Sequence, residues 1–442
     1  MAFYRMIEEI DSLKSRFLSK VLPRLNRQSV EKVFSGYWKR NRPFHPWALI
    51  SLFLTQMALH KGTEDIVGFG INEGILPRNA SPHNSAYCNA RVSYPEHCFR
   101  EIALDFGKAL AEEAWAKELF FDRRVLVVDE TTFRLPDSPS NQHEYPQPSA
   151  QKSGLGFPVM HACCLMDLSS GAIIDVEMGN DKASERSRFY KMWARSLKPG
   201  DIILQDAGYG SYAEASILFD KGVDSFFRLN SRAFNGYVKQ FSSGDGLVEW
   251  KRPREFGWWL DPEGLPENII MREIHYTPFP GAKEIRLATT LLDPKIHTRQ
   301  KLINLYQRRW DMELRFDDIK TVMNLETLSC KTPTGCRKEV FMGLLAYNLV
   351  RAVMVDAARE GNISVRKLSF SKALNSILTF AFCDLSRNDP ACAYDLLRRN
   401  LKKLSIRYRP HRSEPRKIKR RNTKYRLLTT SRKDARNQRL SA

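Results

Sequence analysis

The sequence predicts an α/β protein: an all-helical region to about residue 120, an α/β core interrupted by a β-rich insertion, then helices and a basic tail. Three observations predict it. Up to residue 120 the apolar positions recur at helical spacing, with Pro43, Pro46, Pro77 and Pro82 as punctuation. Beyond Asp122, short apolar runs end in carboxylates, as buried strands do. From Arg398 onward, 18 Lys or Arg face only Glu414 and Asp434, which accounts for +16 of the net +20 and leaves the body close to neutral.

A chain of 442 residues has room for two or three domains and buries a core without disulfide staples. It contains no uninterrupted apolar run of the roughly 18 residues that a membrane span needs. The acidic, amphipathic start is unlike a signal peptide, so a cytoplasmic protein is expected. Cysteines 88, 98, 163, 164, 330, 336, 383 and 392 form no Cys-x-x-Cys and read as reduced core thiols. His161 reads as a core histidine. The basic tail has the footprint of a phosphate-binding arm, although a solubilising end would look the same.

In order along the chain, Ile7, Ile10, Leu13, Phe17 and Val21 keep a helical period. Ser81-Pro82 and the capping-box spacing of Ser93-Tyr-Pro-Glu96 predict two helix starts, the second helix running to about Lys117. Short helices of this kind suit a DNA-binding module in which Arg78, Arg91 and Arg100 reach phosphates, and equally a compact bundle with another task. A strand over 123–130 presents Asp129 at its tip. Strands over 157–166 and 172–178 flank a hairpin turn at 167–171. A helix over 184–197, a strand over 201–206 ending in Asp206, a helix over 212–221 and a strand over 224–229 follow. Residues 231–300 are rich in Gly, Pro and aromatics, with 286–292 returning to the core. Trp250, Trp258 and Trp259 there either pack or stack on an extruded base. Helices over 306–320, 341–359 and 366–382 complete the chain.

On a helix from Tyr306 to Lys320, a turn of about 100° per residue gathers Tyr306, Arg309, Glu313 and Lys320 on one narrow face. Such a stripe is either a solvated face with Arg309–Glu313 pairing or an anion site beside a metal ligand. Asp129 and Asp206 favour the second. Three carboxylates on rigid elements suit two Mg²⁺ ions, with Mn²⁺ as a substitute, because such ions take oxygen ligands and leave positions for substrate phosphate. A pair of them clamps the attacking and leaving oxygens of an in-line phosphoryl displacement. Glu130 is expected on the opposite sheet face, away from the metal. Asp317, one turn beyond Glu313, is a rival or auxiliary ligand.

Four motifs stand out together: the spacing Tyr306-x2-Arg309-x3-Glu313-x6-Lys320, the following Leu344-Leu-Ala-Tyr-Asn-Leu-Val350, the block Val127-Val-Asp129 with Phe133-Arg-Leu-Pro-Asp137, and Asp206-Ala-Gly-Tyr209. Over residues 120–360 the chain resembles bacterial DDE transposases of the insertion-sequence-4 family. The resemblance implies an RNase H-like catalytic core with a β-rich insertion between the second aspartate and the glutamate. It implies that Asp129, Asp206 and Glu313 are catalytic and bind the metal, and that Tyr306, Arg309 and Lys320 hold DNA phosphates. It makes Trp250, Trp258 and Trp259 candidates to receive a flipped base. The implied partners are double-stranded DNA, as terminal inverted repeats and target, and a second copy of the chain in a synaptic homodimer at the bacterial nucleoid. The expected domains are a helical DNA-binding region at 1–120, the core at 121–230 and 301–397, the insertion at 231–300 and the tail at 398–442. Three other functions stay open on these residues: an inactive end-binding protein or repressor, a structure-specific nuclease with the same core, and a structural protein with a basic tail.

Overall fold

A computed structural model describes residues 25–37, 42–113, 116–230, 234–254, 264–381, 390–404 and the single positions 430, 434 and 437. The N-terminal period from Ile7 to Val21, Trp258, Trp259, Cys383 and most of the basic tail lie outside these residues.

Five helices open the described chain: α1 (Arg27–Phe34), α2 (Pro46–Leu59), α3 (Thr63–Asn72), α4 (Ser85–Ser93) and α5 (Glu96–Glu112). Two helix starts differ from expectation. The helix expected at Ser81-Pro82 begins at Ser85, because the Ser81 hydroxyl accepts from the His83 amide in a local turn instead. Ser93 does not cap α5; its hydroxyl donates back to the Ala90 carbonyl and closes α4. A serine between two helices can bond either way, and here the preceding carbonyl wins.

Among the described residues the core is a nine-stranded mixed sheet in the order β3-β2-β1-β4-β5-β9-β8-β7-β6. β1 (Val125–Arg134), β2 (Val159–Asp167) and β3 (Ile173–Gly179) form an antiparallel meander, and β4 (Ile202–Gln205) and β5 (Asp224–Leu229) continue it in parallel through helical crossovers. This is an RNase H-like α/β core. A short helix, α6 (Pro139–Glu144), lies between β1 and β2, while α7 (Glu185–Ser196) and α8 (Tyr212–Asp220) make the crossovers. The turn between β2 and β3 forms because the buried Asp167 carboxylate accepts from Ser169 Oγ, Ser170 N and Ser170 Oγ, and Gly171 takes the left-handed φ of +72°.

The residues after β5 enlarge the same sheet. β6 (Lys239–Ser242), β7 (Asp245–Lys251) and β8 (Asn268–Tyr276) run antiparallel, and β9 (Ile285–Thr289) returns to pair with both β8 and β5. Their anchor is Arg272, fully buried, whose guanidinium donates twice to Asp245 at 2.7 Å and once to the His297 carbonyl at 2.6 Å. Arg272→Ala leaves Asp245 buried without its partner, so a loss of about 3–5 kcal/mol is expected in chemical denaturation. A loss below about 1 kcal/mol would mean that water reaches Asp245.

After β9 come α9 (Arg299–Gln307), a 3₁₀ turn (Arg308–Trp310), α10 (Asp311–Asp317), a π-helical turn (Asp318–Val322), α11 (Pro333–Glu360), α12 (Phe370–Ala381) and α13 (Pro390–Lys403). Helix α11 is long and apolar enough to cross a membrane, but 94% of its apolar window is buried inside the protein. It covers the open edge of β3, where Asn348 Oδ1 accepts from Ile173 N at 2.9 Å and Nδ2 donates to Ile173 O at 2.8 Å, standing in for a further strand. Helix α5 reaches the same strand, because a Cβ at Gly107 would stand 2.2 Å from the Ile173 carbonyl oxygen. The buried Lys338 of α11 donates to the carbonyls of Arg91, Val92 and Tyr94, tying the N-terminal helices to the core. Cys88, Cys98, Cys163, Cys164, Cys330 and Cys336 are free thiols.

Candidate active site

Asp129 is not at the tip of its strand. β1 runs on to Arg134 alongside β2, but it pairs with β4 only over Val125–Val127. The β4 side of β1 is therefore open at Asp129, and Asp206 immediately follows the end of β4 at Gln205. The shorter neighbour, rather than the end of β1, makes the opening.

Alternation along β1 separates the acids. Asp129 and Thr131 face the helices after β9, and Glu130 faces α7. Glu130 pairs with His161 Nδ1 at 2.6 Å and with the buried Arg188, whose Nε donates at 2.7 Å. This network accounts for Glu130 and gives His161 a carboxylate partner. Tyr209 of the second block is buried and donates its hydroxyl to Glu185 on α7, which fixes the chain as it leaves Asp206.

The helix carrying the polar stripe is not uniform. A 3₁₀ turn and a π turn bracket α10, and both change the residue count per turn. Its other charges are consumed internally: Arg308 and Arg366 bind Asp311, and Arg315 binds Asp318. Arg309, Glu313, Asp317 and Lys320 line a cavity of about 540 Å³ together with Asp129, Glu130, Thr131, Asp206 and Glu326. Two distant strand positions and one helix thus supply a single cleft.

Tyr306, expected on phosphate, is largely buried. It is 8% exposed, its ring lies 5.3 Å from that of Phe226, and its hydroxyl donates to the Gln205 carbonyl at 3.2 Å. It holds the main chain one residue before Asp206. Tyr306→Phe is expected to cost about 1 kcal/mol of stability and to leave DNA affinity unchanged. A large loss of DNA binding with an unchanged melting temperature would return the hydroxyl to phosphate contact.

Arg309 lies between two of the acids, with Nη1 3.2 Å from Asp129 Oδ2 and Nη2 3.1 Å from Glu313 Oε1. Burial raises the Asp129 carboxyl above its usual range. The Glu130 amide and Arg309 oppose that rise, and Asp206 and Glu313 add to it. Lys320 Nζ donates to Thr131 Oγ1 at 3.3 Å, and burial pulls its ammonium below the usual range, with Glu326 opposing. Asp317 sits on the rim, accepting from Thr321 Oγ1 at 2.7 Å. Asp129, Asp206 and Glu313 are hard oxygen donors sharing one cavity, the chemistry that Mg²⁺ takes. Among the described residues, no three His, Cys, Asp or Glu side chains are grouped to hold an ion as they now stand. A guanidinium occupies the gap between two of them.

Several other candidates fall away from the cleft. Trp250 is 2% exposed, and its indole Nε1 donates to Glu273 at 2.9 Å, so it packs in the sheet and offers no open face to a base. Arg91 is buried over the Phe53 ring at 3.9 Å and donates to Gln56, and Arg100 lies 3.6 Å from Asp175; only Arg78 of the three is exposed and lacks such a contact. One pairing beside the site had no sequence signal: Gln205 Nε2 donates to Glu214 Oε1 on α8 in a fully buried contact.

Residues 120–349 match the family described as "Transposase DDE domain". The transposase InsG for insertion sequence element IS4 of Escherichia coli strain K12 is 27% identical over 260 residues, covering 58% of this chain and 58% of that protein. The probable transposase for insertion sequence element IS5377 of Geobacillus stearothermophilus is 28% identical over 90 residues, covering 20% of this chain and 23% of that protein. The match therefore spans less than two thirds of either relative. A piggyBac transposase, solved as a synaptic complex with hairpin DNA, aligns over 92% of this chain and 84% of its own at 11% identity and a TM-score of 0.43.

Proposed function

Because this chain belongs to the transposase DDE domain family, we propose that it cuts DNA at the ends of a mobile element and joins the freed 3′-hydroxyl to target DNA. The observation that carries the reading is the convergence of Asp129, Asp206 and Glu313 on one cavity with Arg309 and Lys320. Those acids would hold two Mg²⁺ ions, or Mn²⁺ in their place. When bound, the metal supplies positive charge to the attacking and leaving oxygens of the phosphodiester.

The chain's own residues do the positioning. Thr131 holds Lys320 at the rim, and Tyr306 and Tyr209 fix the main chain on either side of Asp206. Lys320 and Arg309 are placed to meet phosphate oxygens and offset charge as it develops there. The DNA partners are the element's inverted repeats and the target, and a homodimer would hold two ends together. The basic tail adds sequence-independent affinity that falls with salt. The site of action is the cytoplasm, at the nucleoid.

The test uses the full chain, Mg²⁺ and a duplex carrying the inverted repeats that flank its gene. Cleavage at the repeat followed by joining to a second DNA is expected. Cleavage without joining would make the protein a nuclease, and binding without cleavage in Mg²⁺ and Mn²⁺ would make it an end-binding repressor.

A further inference from the structure

We infer that Arg309 is an internal counter-cation for the acid pair, displaced more readily when metal and a DNA phosphate arrive together, so that metal binding and DNA binding reinforce each other. This rests on the proposed metal-dependent transposase reading.

The guanidinium bridges Asp129 and Glu313 through two different nitrogens, and its side chain is only 14% exposed. The Asp129 side chain is 21% exposed and shares one cavity with the carboxylates of Asp206 and Glu313. Bringing such carboxylates together without a cation is costly. Arg309 offsets that cost, and in doing so it spans the space between two donors that an ion would need. A divalent ion must therefore compete with a cation already built into the fold.

The competition is local, because Arg309 hangs from the 3₁₀ turn between α9 and α10, while Glu313 lies one turn further along α10. A phosphate oxygen at the mouth of the cavity offers the displaced guanidinium an acceptor of equal charge, with the same planar geometry of donation. Without DNA, the displaced side chain has only solvent to turn to. Each ligand thus removes what opposes the other, and the coupling must be reciprocal.

The test titrates the DNA-free full chain with Mn²⁺, reading bound ion by electron paramagnetic resonance, for wild type, Arg309→Gln and Arg309→Lys. Arg309→Gln should bind Mn²⁺ about tenfold more tightly than wild type, within the range usual for such coupling. Arg309→Lys, which keeps the charge but cannot bridge both acids, should gain less in the same direction, which keeps the test available if the Gln variant fails to fold. Asp129→Asn in the Arg309→Gln background should erase the gain. By reciprocity, Mn²⁺ should tighten binding of the end duplex to wild type, read by fluorescence anisotropy before cleavage, and should do so less for Arg309→Gln. Equal or weaker Mn²⁺ binding by both variants overturns the inference while leaving the transposase reading standing. Failure of every form, wild type included, to bind Mn²⁺ at this site overturns that reading and the inference with it.

Discussion

Asp129→Asn, Asp206→Asn and Glu313→Gln are each expected to lower strand cleavage at least about 10³-fold, equivalent to about 4 kcal/mol of transition-state stabilisation, while the end duplex still binds. The amides keep the shape of the side chains and remove the charge. The fold has little reason to object. Asp129 accepts from the Glu130 amide and from Arg309, and the amide contact survives in asparagine. Burial already works against its charge, so Asp129→Asn should melt at or above the wild-type temperature. Glu313 is bound to Arg309 and otherwise faces the cavity. Near-normal cleavage by any one of the three would remove that residue from the catalytic set. Loss of cleavage accompanied by an early melting transition would assign the residue to the fold instead.

Glu214→Gln is expected to make the protein more stable in alkaline solution. Burial pushes the Glu214 carboxyl up to about 8 from an ordinary 4.5; Gln205 and Arg186 oppose this, and Glu185 adds to it. Glu214 Oε2 and Gln205 Oε1 are both buried without a protein partner, on two side chains already joined through their other atoms. A proton on Oε2 would donate to Gln205 Oε1 and satisfy both, closing a cyclic acid–amide pair. Since the folded value lies above the unfolded one, this contribution to stability is complete below about pH 4.5 and is lost as pH rises through about 8. The full loss is on the order of 5 kcal/mol. Glutamine at 214 can form the same two hydrogen bonds without ionising. Wild type and variant should therefore denature alike near pH 4.5 and diverge progressively by pH 8.5. Parallel pH profiles would show that Glu214 is not the group that titrates. The pair also sits beneath the Gln205–Asp206 junction, so cleavage by wild type should share part of this alkaline decline.

The strands of the core were legible because their apolar runs are short, bounded by turn residues and rich in branched side chains; residues 224–229 agree to the residue. The family resemblance supplied the RNase H-like topology, and periodicity alone would have stopped at α/β. The opening beside Asp129 was hidden because it depends on how far β4 extends, a property of another segment. The bridge from Arg309 to Asp129 spans 180 positions, and a helical wheel could offer Arg309 only its neighbour Glu313. Tyr306 illustrates the limit of a uniform 100° step: it belongs to the motif, but the burial of its ring was decided by packing against Phe226. Trp250 could have been read more sharply, because along β7 Val248 and Trp250 are buried while Glu249 and Lys251 are exposed, an alternation that belongs to a strand with one buried face. Ser81 and Ser93 misled because cap residues signal a helix end without saying which one.

The asymmetry between the two margins of the sheet bears on how such a protein can be enlarged over time. Asn348 and the backbone of α5 seal β3, so no added segment can zip onto that side without displacing the helix that packs the core. At the other margin β6 is the last strand among the described residues, and the chain builds that side between Asp206 and Glu313. Segments of very different length can therefore be spliced in there as extra strands, provided the last one comes back beside β5, as β9 does. The returning strand resets the register before the helix that bears Glu313 begins, so the distance between the acids stays independent of what has been inserted.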